Sequence, residues 1–336
     1  MNLEDLGERA LIERIRRQIG EHGEGVVIGI GDDAAALSPS PGRLLLATTD
    51  MLVEGVDFQR SYASPRQIGW KALAVNLSDI AAMGGLPRYA LVSLGLPETT
   101  PVEEVDELYE GLTAIAKAHR VHIVGGDTGV APVLTLSITL IGEVEPGRLV
   151  RRSGARVGDV LAVTGSLGAS AAGLAILNRG KGDFDEWKEL IHAHLRPSPR
   201  VIEGAVLARL GVHAMIDLSD GLATDLDHLC RASGVGGRVC LSQLPIPEGV
   251  ARAAAALGAE PWRLAVSGGE DFELLFALPS HHVPGWLVEL ERETGTKATA
   301  IGEVVDAGMR VQFVNAQGES VVFGRGFEHF SQRVGH

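Results

Sequence analysis

A chain of 336 residues with 45% apolar and 22% charged residues is globular in composition and long enough for two domains, which argues against disorder. A net charge of −13 and only 4% aromatic residues argue against nucleic acid or acidic lipid as partners, because such a surface repels phosphate and offers few rings for base stacking. The 43 glycines suit an α/β protein rich in tight turns.

In chain order, residues 3–19 are predicted to form an amphipathic helix, with Leu11, Ile12, Ile15 and Ile19 on one face. Short strands are expected at 26–30 and 44–47, a helix at 65–83, a strand at 89–94, a helix at 101–118, and strands at 121–124 and 133–144. The polar, basic stretch 145–154 is the expected connector, dividing the chain into residues 1–147 and 148–336. Beyond it come a strand at 160–163, helices at 169–177 and 201–210, a strand at 214–216, a helix at 222–232, and alternating strands and helices to the end. The segment His194–Arg200 reads as an extended basic loop, whose Arg196 and Arg200 suit either phosphate contact or bracing of the loop.

Cys230 and Cys240 lie in no metal or disulfide pattern. No apolar run approaches the roughly 20 residues of a membrane-spanning helix. The Met1–Asp5 start shows neither a basic nor an apolar leader region, so a cytoplasmic location and no membrane partner are expected.

The chemistry concentrates in acidic residues set among Gly, Ser and Thr: Asp32-Asp33, Thr48-Thr49-Asp50, Ser78-Asp79, Gly126-Asp127, Asp217 to Asp220, and Glu270-Asp271. Three of these follow predicted strands, where ligands of α/β proteins gather. Any one alone is explained by helix capping or turn formation. Six together point to a hard divalent cation, which takes carboxylate, hydroxyl and carbonyl oxygens and offsets the repulsion among the acids. The chain has no P-loop, no Rossmann fingerprint and no GxSxG elbow, and no histidine is placed as a catalytic base. Direct transfer without a covalent enzyme intermediate is therefore expected.

The motifs Gly-Ile-Gly-Asp-Asp-Ala-Ala (29–35), Thr-Thr-Asp-Met-Leu-Val-Glu-Gly-Val (48–56), Asn-Leu-Ser-Asp-Ile-Ala-Ala-Met-Gly (76–84), Gly-Gly-Asp-Thr (125–128), Arg-Ser-Gly-Ala (152–155), His-Leu-Arg-Pro-Ser-Pro-Arg (194–200), Ile-Asp-Leu-Ser-Asp-Gly-Leu (216–222) and Ser-Gly-Gly-Glu-Asp-Phe-Glu (267–273) resemble, in order and over nearly the whole chain, the thiamine-monophosphate kinase family. The resemblance implies an α/β (α+β), two-domain fold like that of aminoimidazole-ribonucleotide synthetase. In it, N-terminal domains pair in a homodimer, a C-terminal α/β domain completes the substrate site, and ATP binds near the junction. It also implies ATP and thiamine monophosphate as substrates, thiamine diphosphate and ADP as products, and several Mg²⁺ ions.

Residue by residue, the resemblance implies Asp33, Thr48, Thr49, Asp50, Asp79, Asp127, Asp217 and Asp220 as metal ligands, with Asp50, Asp79, Asp127 and Asp220 catalytic through the metal. It implies Gly126, Asp127, Arg152, Ser219 and Tyr109 as nucleotide contacts, and Glu270 and Phe327 as contacts of the thiamine portion. Asp57 stands where the family commonly has a substrate-side histidine. An ionised Asp cannot donate to a phosphate, so action through a cation or water, or replacement by Arg60, is the expectation there. A sister synthetase of the same fold and a non-catalytic nucleotide-binding protein are the alternatives. The lack of a cysteine before Cys230 speaks against a selenophosphate synthetase, and ligands spread over both halves speak against a binding module.

Overall fold

Regular structure in a computed structural model of the chain, which describes residues 1–20, 23–180 and 185–323, falls into two units, Met1–Leu149 and Val150–His336. The first runs α1 (Leu3–Leu6), α2 (Glu8–Ile19), β1 (Val26–Ile28), β2 (Ala36–Leu37), β3 (Leu44–Val53), α3 (Pro65–Ala82), β4 (Leu86–Leu96), α4 (Val102–Ala118), β5 (His122–Val130) and β6 (Thr135–Val144). The single helix expected over 3–19 is broken at Gly7, whose φ of +79° suits glycine alone.

Strands β3, β6, β4 and β5 form a sheet in that order, with only β4 and β5 parallel. Helix α4 supplies the crossover that a parallel pair needs. Helix α3 starts on a capping box: the Ser64 hydroxyl accepts from the Gln67 amide at 3.3 Å, the Gln67 side chain accepts from the Ser64 amide at 2.9 Å, and Pro65 takes the first helical position. It is buried nearly all round: Leu73, Leu77 and Ile80 line one face, while Ala74, Val75 and Ser78 are buried on others. Gly69 of α3 faces the Leu108 carbonyl, and Gly111 of α4 faces the Arg66 carbonyl, so the two helices approach at the positions that lack a Cβ.

Two of the strands that run longer than the sequence suggests carry candidate residues. Pairing from Leu44 opposite Val144 to Val53 opposite Thr135 keeps Thr48–Asp50 inside β3 rather than in a turn after it. Likewise Gly125–Asp127 lie inside β5, where the missing side chain of Gly126 (φ +155°) lets the Val92 backbone close in. The long partner strands supply the ladder that satisfies these backbone groups.

The second unit comprises β7 (Asp159–Thr164), α5 (Ala169–Arg179), α6 (Lys188–Leu195), α7 (Val201–Leu210), β8 (Ala214–Asp217), α8 (Leu222–Ser233), β9 (Gly236–Cys240), α9 (Glu248–Leu257), α10 (Pro261–Ser267), β10 (Leu274–Pro279), α11 (Val283–Thr294), β11 (Ala298–Val305) and β12 (Val311–Val314). Its sheet has the order β12-β9-β11-β7-β10-β8, antiparallel except for β12 with β9. Leu161, Leu226, Leu275, Ile301 and Phe313 lie in its core. Both cysteines are free thiols, and among the described residues no helix is long and apolar enough to cross a membrane.

Candidate functional site

Strand alternation sorts the acidic candidates of the first unit onto two faces. Asp50 pairs with Ile138, Ile138 with Val92, and Val92 with Gly126. Ile138 and Val92 are buried, so this row faces the helices. Thr48 lies two residues along on the same face, where its hydroxyl donates to the Asp79 carboxylate of α3. Burial, and then the charge of Asp79, push the Asp50 carboxyl up to about 6.

The next row joins Met51, Ser137, Ser93 and Asp127. One residue of offset turns Asp127 to the opposite face, where it is exposed. Thr49 is on that face too, its hydroxyl 3.3 Å from that of Thr139. Thr48, Asp50 and Asp79 therefore meet, while Thr49 and Asp127 lie across the sheet from them. Gly126 is exposed beside Asp127, and Asp33 is exposed on the turn after β1, its amide donating to the Asp32 carboxylate at 2.8 Å. Tyr109 is only 3% exposed, so its ring belongs to the packing of α4, and burial raises its hydroxyl pKa.

Asp57 has a structural partner. Its carboxylate accepts from the Val53 amide at 2.8 Å and closes the turn after β3. Arg60, the expected stand-in, is paired with Glu104.

In the second unit two motifs fifty residues apart are laced together through their backbones. The Leu218 amide donates to the Glu273 carbonyl (2.8 Å), the Phe272 amide to the Leu218 carbonyl (2.9 Å), and the Glu270 amide to the Ser219 carbonyl (2.8 Å). Glu270 and Phe272 take φ of +66° and +50°, values that cost a side-chain-bearing residue energy and that surrounding bonds must hold. Asp217, at the end of β8, is buried, and Asp220 and Ser219 are half-buried.

Sequence reasoning missed Asp225, in the first turn of α8. Burial, and then the charges of Asp217 and Asp220, push its carboxyl up to about 8, against the Asp220 amide at 3.1 Å and the charge of Arg152. The signal was present: Asp225 sits on the same inward face of α8 as Leu222, Leu226 and Leu229. Arg152 itself is exposed. Asp271 was named but not read as a cap. It accepts from the Gly168 and Ser170 amides (2.8 and 3.4 Å) at the start of α5, and burial pushes it up to about 7 despite those bonds. Arg200 is a brace, forking onto Glu273 with two 2.6 Å bonds. Phe327 lies outside the described residues.

Among the described residues no three His, Cys, Asp or Glu side chains are grouped to hold a metal ion by themselves. The donors that do meet, two carboxylates and a hydroxyl, are all oxygen, and a hard cation offsets both the burial and the charge of Asp79 that raise Asp50. Such a set fits Mg²⁺, whose shell is otherwise filled by water and substrate phosphate.

Two domains of mixed α/β build, each with an acid-rich set, define a class that the comparisons identify. Residues 31–144 match "AIR synthase related protein, N-terminal domain", and residues 156–314 match "AIR synthase related protein, C-terminal domain". A curated relative from Aquifex aeolicus, "Thiamine-monophosphate kinase", is 40% identical over 280 residues, 83% of this chain and 88% of its own. A crystal structure of the Stenotrophomonas maltophilia K279a thiamine-monophosphate kinase superposes with a TM-score of 0.83 at 35% identity, covering 94% of this chain and 98% of that one. A solved complex, "AaThiL complexed with AMPPCP and TMP", gives a TM-score of 0.77 at 36% identity over 98% and 99% of the two chains. The chain belongs to the thiamine-monophosphate kinase family.

Proposed function

We propose that this protein transfers the γ-phosphoryl group of ATP to thiamine monophosphate, giving thiamine diphosphate and ADP. The observation that carries the proposal is the meeting of Asp50, Asp79 and Thr48, in a chain whose relatives bear the name of that activity. The complex with AMPPCP, an ATP analogue, and TMP supports both substrates.

The attacking atom is an oxygen of the monophosphate, which is largely ionised near neutral pH because its second pKa is about 6. It bonds to the γ-phosphorus as the bond to the β,γ-bridging oxygen breaks, and ADP leaves with that electron pair. No general base is required. The obstacle is repulsion between two polyanions, and Mg²⁺ supplies the positive charge that offsets it when bound. Asp50, Asp79 and Thr48 are proposed to hold one such ion. Asp33, Thr49 and Asp127 serve others in the first unit, and Asp217 and Asp220 in the second. Gly126, Ser219 and Arg152 contact the nucleotide, and Glu270 presents a carboxylate to the cationic thiamine portion.

The enzyme is proposed to work in the cytoplasm as a homodimer paired through the first unit. The free thiols suit a reducing compartment, and the exposed Leu45 and Met51 on the open face of the sheet suit a second copy.

The test is a coupled assay of thiamine diphosphate formation with and without Mg²⁺, beside calorimetry with a non-hydrolysable ATP analogue. Magnesium-dependent turnover supports the reading. Nucleotide binding with no turnover of the monophosphate overturns it.

A further inference from the structure

The segment His194–Arg200, expected to be a loop throughout, begins in the last turn of α6, and it grips the turn Glu270–Glu273 at both ends. Arg200 holds Glu273, which is 5% exposed, through two 2.6 Å bonds. His194 is 2% exposed, and its Nδ1 lies 3.1 Å from Glu270 Oε2 and 3.1 Å from Ser170 Oγ. At that distance a bare Nδ1 lone pair would face a carboxylate oxygen, so Nδ1 carries the proton and donates it to Glu270, with Ser170 Oγ alongside. The backbone of Glu270 is pinned by its bond to the Ser219 carbonyl at a φ of +66°. His194 holds the direction of the Glu270 side chain. The Glu270 carboxylate is 28% exposed, so an edge remains open to a ligand.

We propose that His194 is a positioning residue for substrate recognition: it aims the Glu270 carboxylate at the cationic ring portion of the substrate. This rests on the reading of Glu270 as a substrate contact. A charge-assisted bond from a buried ring costs little further ordering, so the carboxylate meets the substrate already oriented. The arrangement selects a phosphate ester bearing a cationic ring over a neutral one.

The test combines His194→Ala, His194→Asn, Glu270→Gln and the double variant His194→Ala/Glu270→Gln, each with a thermal melt. Glu270→Gln and His194→Ala are each expected to raise the KM for the monophosphate about tenfold, with kcat and the KM for ATP within about twofold of wild type. His194→Asn, whose amide nitrogen takes the place of Nδ1–H, is expected to return that KM to within about threefold. The double variant is expected to be no worse than Glu270→Gln, because both changes remove one interaction. If His194→Ala has the same effect with Gln at position 270, or lowers kcat and ATP affinity alike, the positioning role is wrong. If Glu270→Gln raises the KM and His194→Ala does not, positioning fails while the substrate reading stands. If Glu270→Gln leaves the KM unchanged, both fail. His194→Gln moves the donor away while keeping a polar side chain, and carries the expectation of the alanine variant should that variant not fold.

Discussion

Asp50 and Asp127 belong to neighbouring cross-strand rows of one sheet and point to opposite faces of it, Asp50 toward α3 and Asp79, Asp127 toward the open side. The two acids therefore differ in what their removal does. Asp50→Asn takes away one of two repelling carboxylates. Turnover is expected to fall about 100-fold or more, while the melting temperature without Mg²⁺ holds or rises. Asp127→Asn acts on an exposed carboxylate and is expected to leave that melting temperature unchanged. Turnover of Asp50→Asn within about threefold of wild type at saturating Mg²⁺ would remove the metal-holding role.

Asp225 makes stability depend on pH in the direction opposite to an ion-paired acid. The folded protein keeps its proton up to about pH 8, whereas the unfolded chain releases it near about 4. Between those values the folded state binds more protons, so stability falls as pH rises from about 4 to 8. The loss is on the order of a few kcal/mol. Thermal melts in chelator are expected to show Tm dropping over that range, with the drop reduced by about half in Asp225→Asn, because Asp50 and Asp271 are raised as well, and reduced by Mg²⁺. An equal slope in wild type and variant is the contrary result.

The elements and motifs of this chain were legible because each rests on a local cause: the Ser64–Gln67 capping box, the helical spacing of Leu11 and Ile15, the Asp residues among Gly and Ser. What the sequence hid depends on partners far along the chain. Thr48–Asp50 read as a turn because the ten-residue pairing with β6 was not visible, and the facing of Asp127 follows from that register. Arg200 read equally as a phosphate ligand or a brace until Glu273 came into reach, and the bond from the Val53 amide to Asp57 was not visible at all. Asp225 was the opposite case, a polar residue on an apolar helical face, where the local signal was present and passed over.

Asp57 is expected to matter for stability more than for substrate affinity. Its bond from the Val53 amide closes the turn after β3. Asp57→Ala is expected to lower stability by about 1–2 kcal/mol, the usual effect of losing a charged acceptor. The KM for the monophosphate is expected to change less than about threefold. A large rise in KM with an unaltered melt would return Asp57 to the substrate site.

The proposed homodimer is expected to pair through the open face that carries Leu45 and Met51, 57% and 60% exposed. Replacing both with lysine places like charges on a self-complementary surface and is expected to give a monomer by sedimentation, with the wild type a dimer. A wild-type monomer, or a double variant that still dimerises, would rule out this face.

Gly69 and Gly111 fix how closely α3 can lie on α4, and α3 carries Asp79. A Cβ at Gly69 would overlap the Leu108 carbonyl, and one at Gly111 the Arg66 carbonyl, backbone atoms that cannot swing aside as a side chain does. Gly69→Ala and Gly111→Ala are each expected to cost about 1–3 kcal/mol in denaturant unfolding, despite the better helix propensity of alanine. Gly249, in the first turn of α9, is the control: its added Cβ would meet Leu190 at an ordinary 3.7 Å. Gly249→Ala is expected to be neutral or slightly stabilising. Because the shifted α3 moves Asp79 relative to Asp50 and Thr48, the two α3–α4 variants are also expected to need more Mg²⁺ for half-maximal turnover, whereas Gly249→Ala is not. Equal magnesium dependence in all three would separate the packing of the helices from the holding of the metal.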